Sequence, residues 1–203
     1  DVVALADAIG HDERIGRRFL NAGLGFGGGC LPKDIRAFMA RAGEIGAADA
    51  LSFLREIDSI NMRRRQRAVE VTRELLDGSV LGARVAVLGV AFKPESDDVR
   101  DSPALNVAGQ LQLQGAHLRV YDPKAMANAR RVFPTLIYTG SVEEACHDAD
   151  AVLHLTEWAE FARLDPADLL QTVRQPHVVD GRNTLDAHAW RTAGWTYRGL
   201  GRP

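Results

Sequence analysis

From Arg84 onward, short apolar runs alternate with segments of helical spacing, and this alternation leaves few folds open. The runs Arg84–Leu88, His117–Tyr121, Ala151–Leu155, His177–Val179 and Trp195–Tyr197 have the length and residue content of strands, and Leu136–Tyr138 is a weaker sixth. Between them lie Pro103–Gln114, Ala125–Val132, Ser141–His147, Pro166–Val173 and Leu185–Thr192, which read as helices. Ser102-Pro103 and Asp165-Pro166 place a capping residue before a first-turn proline, and Ser141 with Glu144 has the spacing of a capping box. Strands separated by helices of this length form a mostly parallel, doubly wound α/β sheet of about six strands. Such a sheet takes its ligand beyond the carboxyl ends of the strands.

The residues before Arg84 follow a helical pattern. Val2, Val3, Leu5, Ala6 and Ile9 mark the last turns of a helix closed by Gly10. Pro32 suits a first helical turn, Ile35, Phe38, Met39 and Ala42 recur at helical spacing, and Gly43 is a natural stop. Residues 47–77 contain no Gly or Pro for 31 positions, which predicts one long helix ended by Gly78, with Leu51, Leu54, Ile57, Asn61, Ala68, Val71, Thr72 and Leu75 on one face. Three zones result: 1–46, the connecting helix 47–78 and the α/β domain 79–203.

Charge and cysteine usage narrow the partners. The 25 Lys and Arg against 27 Asp and Glu leave a net charge of −2, so neither nucleic acid nor an anionic membrane is expected as the main partner. The run Arg63-Arg64-Arg65-Gln66-Arg67 is flanked by Glu56, Asp58, Glu70 and Glu74 and reads as a solvated face crossed by ion pairs. The longest apolar stretch, Val85–Phe92, falls far short of the roughly 20 residues of a membrane span. Cys30 and Cys146 alone give no disulfide framework and no metal-ligand spacing, and a reducing, cytoplasmic setting follows by default.

Two segments could carry chemistry. Gly23-Leu24-Gly25-Phe26-Gly27-Gly28 satisfies G-x-G-x-x-G, yet Arg17–Ala22 before it is polar and helical instead of a buried strand, so the context of a dinucleotide fingerprint is missing. The alternatives are a mobile turn or a bare backbone that lies against a ligand and feeds a helix. Cys30 sits at that helix start, where N–H groups and the macrodipole favour a thiolate nucleophile; a lone Cys is also often a small buried hydrophobe. Asp34 lies one turn on, positioned to orient water or move a proton, and Lys33 adds a charge nearby. The second segment, Gly89–Pro103, leaves the first strand past Lys93 and Arg100 and enters a helix, which sets two cations where an anionic ligand is expected; a charged loop with internal Asp–Arg pairing is the other reading. Asp180-Gly181-Arg182-Asn183 occupies the equivalent place after a later strand, with Arg182 a third cation or a turn residue.

Together these strings resemble the UDP-glucose 6-dehydrogenase family, within the wider UDP-glucose/GDP-mannose dehydrogenase group. Gly25-Phe26-Gly27-Gly28-Gly29-Cys30-Leu31-Pro32-Lys33-Asp34 is similar to the catalytic-cysteine segment G-[FY]-G-G-S-C-x-P-K-D, with Gly29 for the usual Ser. Ala91-Phe92-Lys93-Pro94 through Asp97-Asp98-Val99-Arg100-Asp101-Ser102-Pro103 resembles A-F-K-P-x-T-D-D-x-R-x-S-P, and Arg14-Ile15-Gly16 and Asp180–Asn183 match shorter signatures. The resemblance implies a Rossmann-like sheet, preceded by a long helix and a small all-helical piece of a central dimerisation domain. It implies two-step oxidation of the sugar C6 alcohol with two NAD. Cys30 would trap the aldehyde and carry the thioester, and Asp34 would assist the hydrolytic water. Phe92, Lys93 and Arg182 would meet the UDP-sugar, Phe19, Leu20 and Gly27 would line its nucleotide site, and Arg14 would reach a neighbouring subunit's substrate. Arg100, with Lys33 beside Cys30, would face the NAD.

Members of that family carry an amino-terminal NAD domain and an upstream helix with a catalytic Lys and Asn. The expectation is therefore a carboxyl-terminal portion, homodimeric through its helical region, with no turnover of its own. Oxidation of GDP-mannose, or a non-catalytic sugar-nucleotide-binding or dimerisation module, are the alternatives; the UDP-N-acetylmannosamine branch typically has a His before the Cys, where this chain has Gly29.

Overall fold

The computed structural model describes residues 1–202. Six strands, β1 (Arg84–Leu88), β2 (His117–Tyr121), β3 (Ile137–Tyr138), β4 (Ala151–His154), β5 (His177–Asp180) and β6 (Thr196–Gly199), form one sheet in the order β3-β2-β1-β4-β5-β6. Every pairing is parallel, with Val85 opposite Leu118 on one side and Ala151 on the other. This is the Rossmann-like arrangement, and the strand order reverses between β1 and β4. Those two strands are buried on both faces, which is why they read as unbroken apolar runs.

Helices α4 (Pro103–Leu113), α5 (Met126–Val132), α6 (Val142–Cys146), α7 (Pro166–Leu170) and α8 (Ala187–Thr192) make the crossovers. Ser102 and Asp165 cap α4 and α7 as expected, each with proline following. At α6 the Ser141 hydroxyl accepts from Glu144 N–H at 3.2 Å, while the Glu144 carboxylate reaches back to Gly140 N–H at 2.7 Å. That is a capping box whose return arm is displaced by one residue.

Ahead of the sheet lie α1 (Val2–Gly10), α2 (Leu31–Glu44), a 3₁₀ turn at Ala48–Leu51, and α3 (Ser52–Leu75). Four expectations change here. The Asp1 carboxylate accepts from Val3 and Ala4 N–H at the start of α1, and Gly10 lies inside the helix, whose C-cap is His11. Helix α2 runs through Gly43, and Gly46, at φ +77°, takes the left-handed position at its end. The long helix is preceded by a separate 3₁₀ turn. The predicted face of α3 is buried only from Asn61 onward, where it packs on α4 and β5; Ile57 and its neighbours Phe53 and Ile60 stay exposed. No helix among the described residues is long and apolar enough to cross a membrane.

Candidate active site

The loop leaving β1 is pinned before it reaches any candidate ligand group. Asp122, fully buried at the end of β2, accepts from Val90 N–H at 2.7 Å and Ala91 N–H at 2.9 Å through Oδ2. Its Oδ1 accepts from Lys124 and Ala125 N–H, and Trp158 Nε1 donates to Oδ2 at 3.2 Å. Ser102 Oγ donates to Val90 O and Thr156 Oγ1 to Ala91 O. All four backbone polar groups of Val90 and Ala91 thus find side-chain partners from three separate segments, and Phe92 and Lys93 leave a rigid base. A carboxylate at the end of the second strand is where a dinucleotide fold grips a ribose. Here Asp122 is turned inward to hold the chain.

The glycine loop lies across this edge of the sheet. Leu24 is buried in the α/β core, where its Cδ2 meets Gly181 after β5. A Cβ on Gly27 would stand 2.4 Å from Asp101 O and 2.6 Å from Pro103 Cδ, so only a bare Cα fits between this loop and the start of α4. Gly28 N–H donates to Arg100 O at 3.0 Å, and the Phe92 ring covers Gly28. Gly29 lies under the Arg100 guanidinium, 2.5 Å from where its own Cβ would be. The loop therefore touches both segments singled out from the sequence.

Cys30 is the exposed N-cap residue of α2, with Pro32 in the first turn and Asp34 N–H donating to Cys30 O at 2.9 Å. Lys33 Nζ and Asp34 Oδ1 pair at 3.0 Å on the surface beside it. Cys146 is the contrast: buried in α6, with burial pushing its thiol up to about 12, it is inert packing.

Three cations of this sheet edge stand in different states. Arg100 is solvent-facing and forked onto Asp98, Nη2 to Oδ2 at 2.7 Å, which holds the Asp98 carboxyl below its usual value. The internal Asp–Arg pairing and the cation beside the thiol are thus the same residue. Lys93 is exposed, its Nζ 5.4 Å from the Phe92 ring centre. Arg182 is largely covered, its side chain 12% exposed; Nε donates to Leu155 O at 2.9 Å, Nη2 reaches Phe92 O at 3.3 Å, and Glu157 Oε2 lies 2.9 Å from Nε. Burial pulls its guanidinium below the ordinary value against the opposing pull of Glu157 and Asp180.

The turn that carries Arg182 hangs on Asp180. Its Oδ1 accepts from Arg182 and Asn183 N–H, its Oδ2 from Leu185 N–H and the Tyr197 hydroxyl, and His154 Nδ1 lies 3.0 Å from Oδ1. Burial alone would raise this carboxyl, but the His154 contact and the backbone amides outweigh it and hold it low.

Cys30, Gly27, Phe92, Lys93, Arg100 and Arg182 are therefore gathered at the carboxyl edge of β1, β4 and β5. Arg14, paired with Asp12 at 2.6 Å, and the fully exposed Phe19 remain at the surface of the helical part, and Leu20 is half-buried there. Sequence reasoning missed Arg65, which it placed on a solvated face. The residue is 2% exposed, and its side chain bonds Asp101 at 2.9 Å and Phe26 O at 3.2 Å. Its spacing was the available signal: Asn61 and Arg65, four apart, share the face that continues through Ala68 and Thr72.

Comparison with known proteins agrees with this geometry. Residues 86–187 match the UDP binding domain model of the UDP-glucose/GDP-mannose dehydrogenase family, and residues 1–63 match the central domain model of the same family. UDP-glucose 6-dehydrogenase TuaD of Bacillus subtilis is 39% identical over all of this chain and 44% of its own length. The UDP-glucose 6-dehydrogenase of Rhizobium meliloti is 38% identical over all of this chain and 46% of its own. The solved UDP-glucose dehydrogenase of the archaeon Pyrobaculum islandicum superposes with a TM-score of 0.81 at 36% identity, over 97% of this chain and 42% of that one. The chain thus spans less than half the length of these relatives. A parallel sheet in the 3-2-1-4-5-6 order, a cysteine at a helix start over its carboxyl edge and matches to both of the family's models, over residues 1–63 and 86–187, place the chain in the UDP-glucose/GDP-mannose dehydrogenase family.

Proposed function

We propose that this chain is the portion of an NAD-dependent UDP-glucose 6-dehydrogenase that carries the nucleophilic thiol and the sugar-nucleotide-binding sheet. The whole reaction converts UDP-glucose, two NAD and water to UDP-glucuronate. The observation that carries the reading is the placement of exposed Cys30 at the start of α2, on a glycine loop that packs against Phe92, Arg100 and Arg182 at the carboxyl edge of the sheet. The zones are residues 1–46, the end of a central domain with the cysteine loop; 47–78, the connecting helix; and 79–203, the UDP-binding domain. A cytoplasmic setting belongs to the same reading.

Arg182, held from behind by Asp180, and Lys93 on its pinned loop bind the diphosphate-sugar and point C6 toward Cys30. Phe92 and Gly27 line the sugar-nucleotide site, with Leu20 and Phe19 at its nucleotide end. Bound NAD supplies the acceptance of one hydride from C6 in each of two oxidations. Between them the Cys30 sulfur adds to the aldehyde carbon, forming the C–S bond of a thiohemiacetal, and loss of the second hydride leaves a thioester. Asp34 takes a proton from the water that attacks the thioester carbon, and the C–S bond breaks to return the thiol and the uronic acid. Among the described residues, those that fit NAD lie at the rim of the site. Arg100 and Lys33 are solvent-facing cations beside Cys30, suited to a pyrophosphate, whereas the glycine run has no strand before it.

The exposed apolar residues Leu5, Ile9, Phe38, Phe53, Ile57 and Ile60 all lie on the helical part, which supports a homodimer formed through it. Arg14, solvent-facing near that surface, reaches the neighbouring subunit's substrate.

Titration calorimetry tests the ligand assignment. UDP-glucose should bind at least about tenfold more tightly than GDP-mannose, and Arg182→Ala should weaken UDP-glucose by about 2–3 kcal/mol, the usual loss for one charged partner of a buried phosphate contact. The reverse preference assigns the protein to GDP-mannose. Full affinity in Arg182→Ala removes that side chain from the site.

A further inference from the structure

We infer that Asn61 and Arg65 of α3, together with Asp101 of the loop after β1, form a strut that sets where the Cys30 loop stands relative to the cations of the sheet edge. They are positioning residues, and the catalytic half of this inference rests on the dehydrogenase reading above. Its geometric half stands on its own.

Residues 25–29 contain no helix or strand, so their backbone polar groups need partners from elsewhere. Asn61 supplies two of them. Its Oδ1 accepts from Phe26 N–H at 2.7 Å and its Nδ2 donates to Phe26 O at 3.0 Å. One amide pairing with both groups of one residue fixes the orientation of that residue as well as its distance. Arg65 Nη2 donates to the same carbonyl, and Arg65 Nη1 bonds Asp101 Oδ1. The other Asp101 oxygen faces Arg36 Nη1 of α2 at 3.3 Å, and Arg36 Nη2 reaches Asp58 of α3 at 3.4 Å. The chain of contacts closes on Cys30's own helix.

Two features argue that this arrangement does more than hold the fold. The Arg65–Asp101 pair has its arginine buried and its carboxylate 22% exposed, and such a pair adds little stability over an apolar pair of the same size, so its contribution is geometric selection of one arrangement. Asp101 is also held at φ +45°, a left-handed conformation unfavourable for a side-chain-bearing residue, while its carbonyl abuts Gly27. Asn61 and Arg65 are 3% and 2% exposed and grip the loop at Phe26, so they act on the thiol through the loop.

The test has two arms. Hydrogen exchange on this chain reads the geometry: in Asn61→Ala, the Phe26 amide should lose at least about tenfold protection while β1 and β4 amides keep theirs. Steady-state kinetics of the family-length protein carrying this chain reads the consequence. Asn61→Ala should lower kcat by about 100-fold, the usual cost of an ångström-scale misplacement, with the KM for UDP-glucose within threefold. Arg65→Lys and Asp101→Asn, gentler changes, should lower kcat by about tenfold in the same pattern. Unchanged exchange at Phe26 overturns the strut. A loss residing in KM, or kcat within threefold of wild type in all three variants, overturns its positioning role. If Phe26 loses protection but the wild-type protein does not oxidise UDP-glucose, the dehydrogenase reading fails and the strut remains.

Discussion

In the family-length protein, Cys30→Ser should abolish uronate release, lowering it by at least about 10³-fold, while binding of UDP-glucose stays within threefold. A hydroxyl is a far weaker nucleophile than a thiol and a poor leaving group at the acyl stage, so the C6 aldehyde finds no competent nucleophile and no thioester forms. The substitution removes little packing because Cys30 is exposed. Chromatographic measurement of UDP-glucuronate against a matched binding titration separates the two effects. Uronate release at the wild-type rate would make Cys30 a surface residue of a non-catalytic sugar-nucleotide module.

The largest stability effect is expected at Asp122. This one carboxylate accepts from five N–H donors: Val90, Ala91, Lys124, Ala125 and the Trp158 indole. Asp122→Ala leaves them without their acceptor in a buried site, at roughly 1–3 kcal/mol for each donor that water cannot reach. A total loss of about 3–5 kcal/mol follows, a large share of the 5–15 kcal/mol typical of a domain. Urea unfolding of the chain measures it. A loss below about 1 kcal/mol would mean that the loop after β1 is held by Ser102 and Thr156 without Asp122.

Asp122 also marks what could be read along the chain and what could not. All six strands fall within two residues of their expected positions, because a sheet covered on both faces writes burial directly into consecutive residues. Caps at Ser102, Ser141 and Asp165 were legible because their partners lie two or three residues away. Gly43 misled because Ala42 is buried and the helix carries its glycine through; the left-handed turn falls at Gly46. Arg65 misled more seriously. Its flanking acids suggested local ion pairs, which do form at Arg67 with Glu70 and Glu74, but its own partner Asp101 lies 36 residues away. Asp122 and Val90, 32 residues apart, pose the same difficulty. Local spacing singled out Cys30, Lys93, Arg100 and Arg182 as candidates, and Asp98 and Asp180 hold Arg100 and Arg182 from only two residues away, but Asn61, Arg65 and Asp122, which hold the loops themselves, act across more than 30 residues.

The central claim, a covalent oxidation carried on Cys30, is tested most directly by trapping its acyl form. In the family-length protein with Asp34→Asn, hydrolysis should slow while both oxidations proceed. Mass spectrometry after a quench with UDP-glucose and NAD should then find a UDP-glucuronyl thioester on the peptide containing Cys30. Continued UDP-glucuronate formation with no adduct on Cys30, or an adduct on any other residue, would contradict the account.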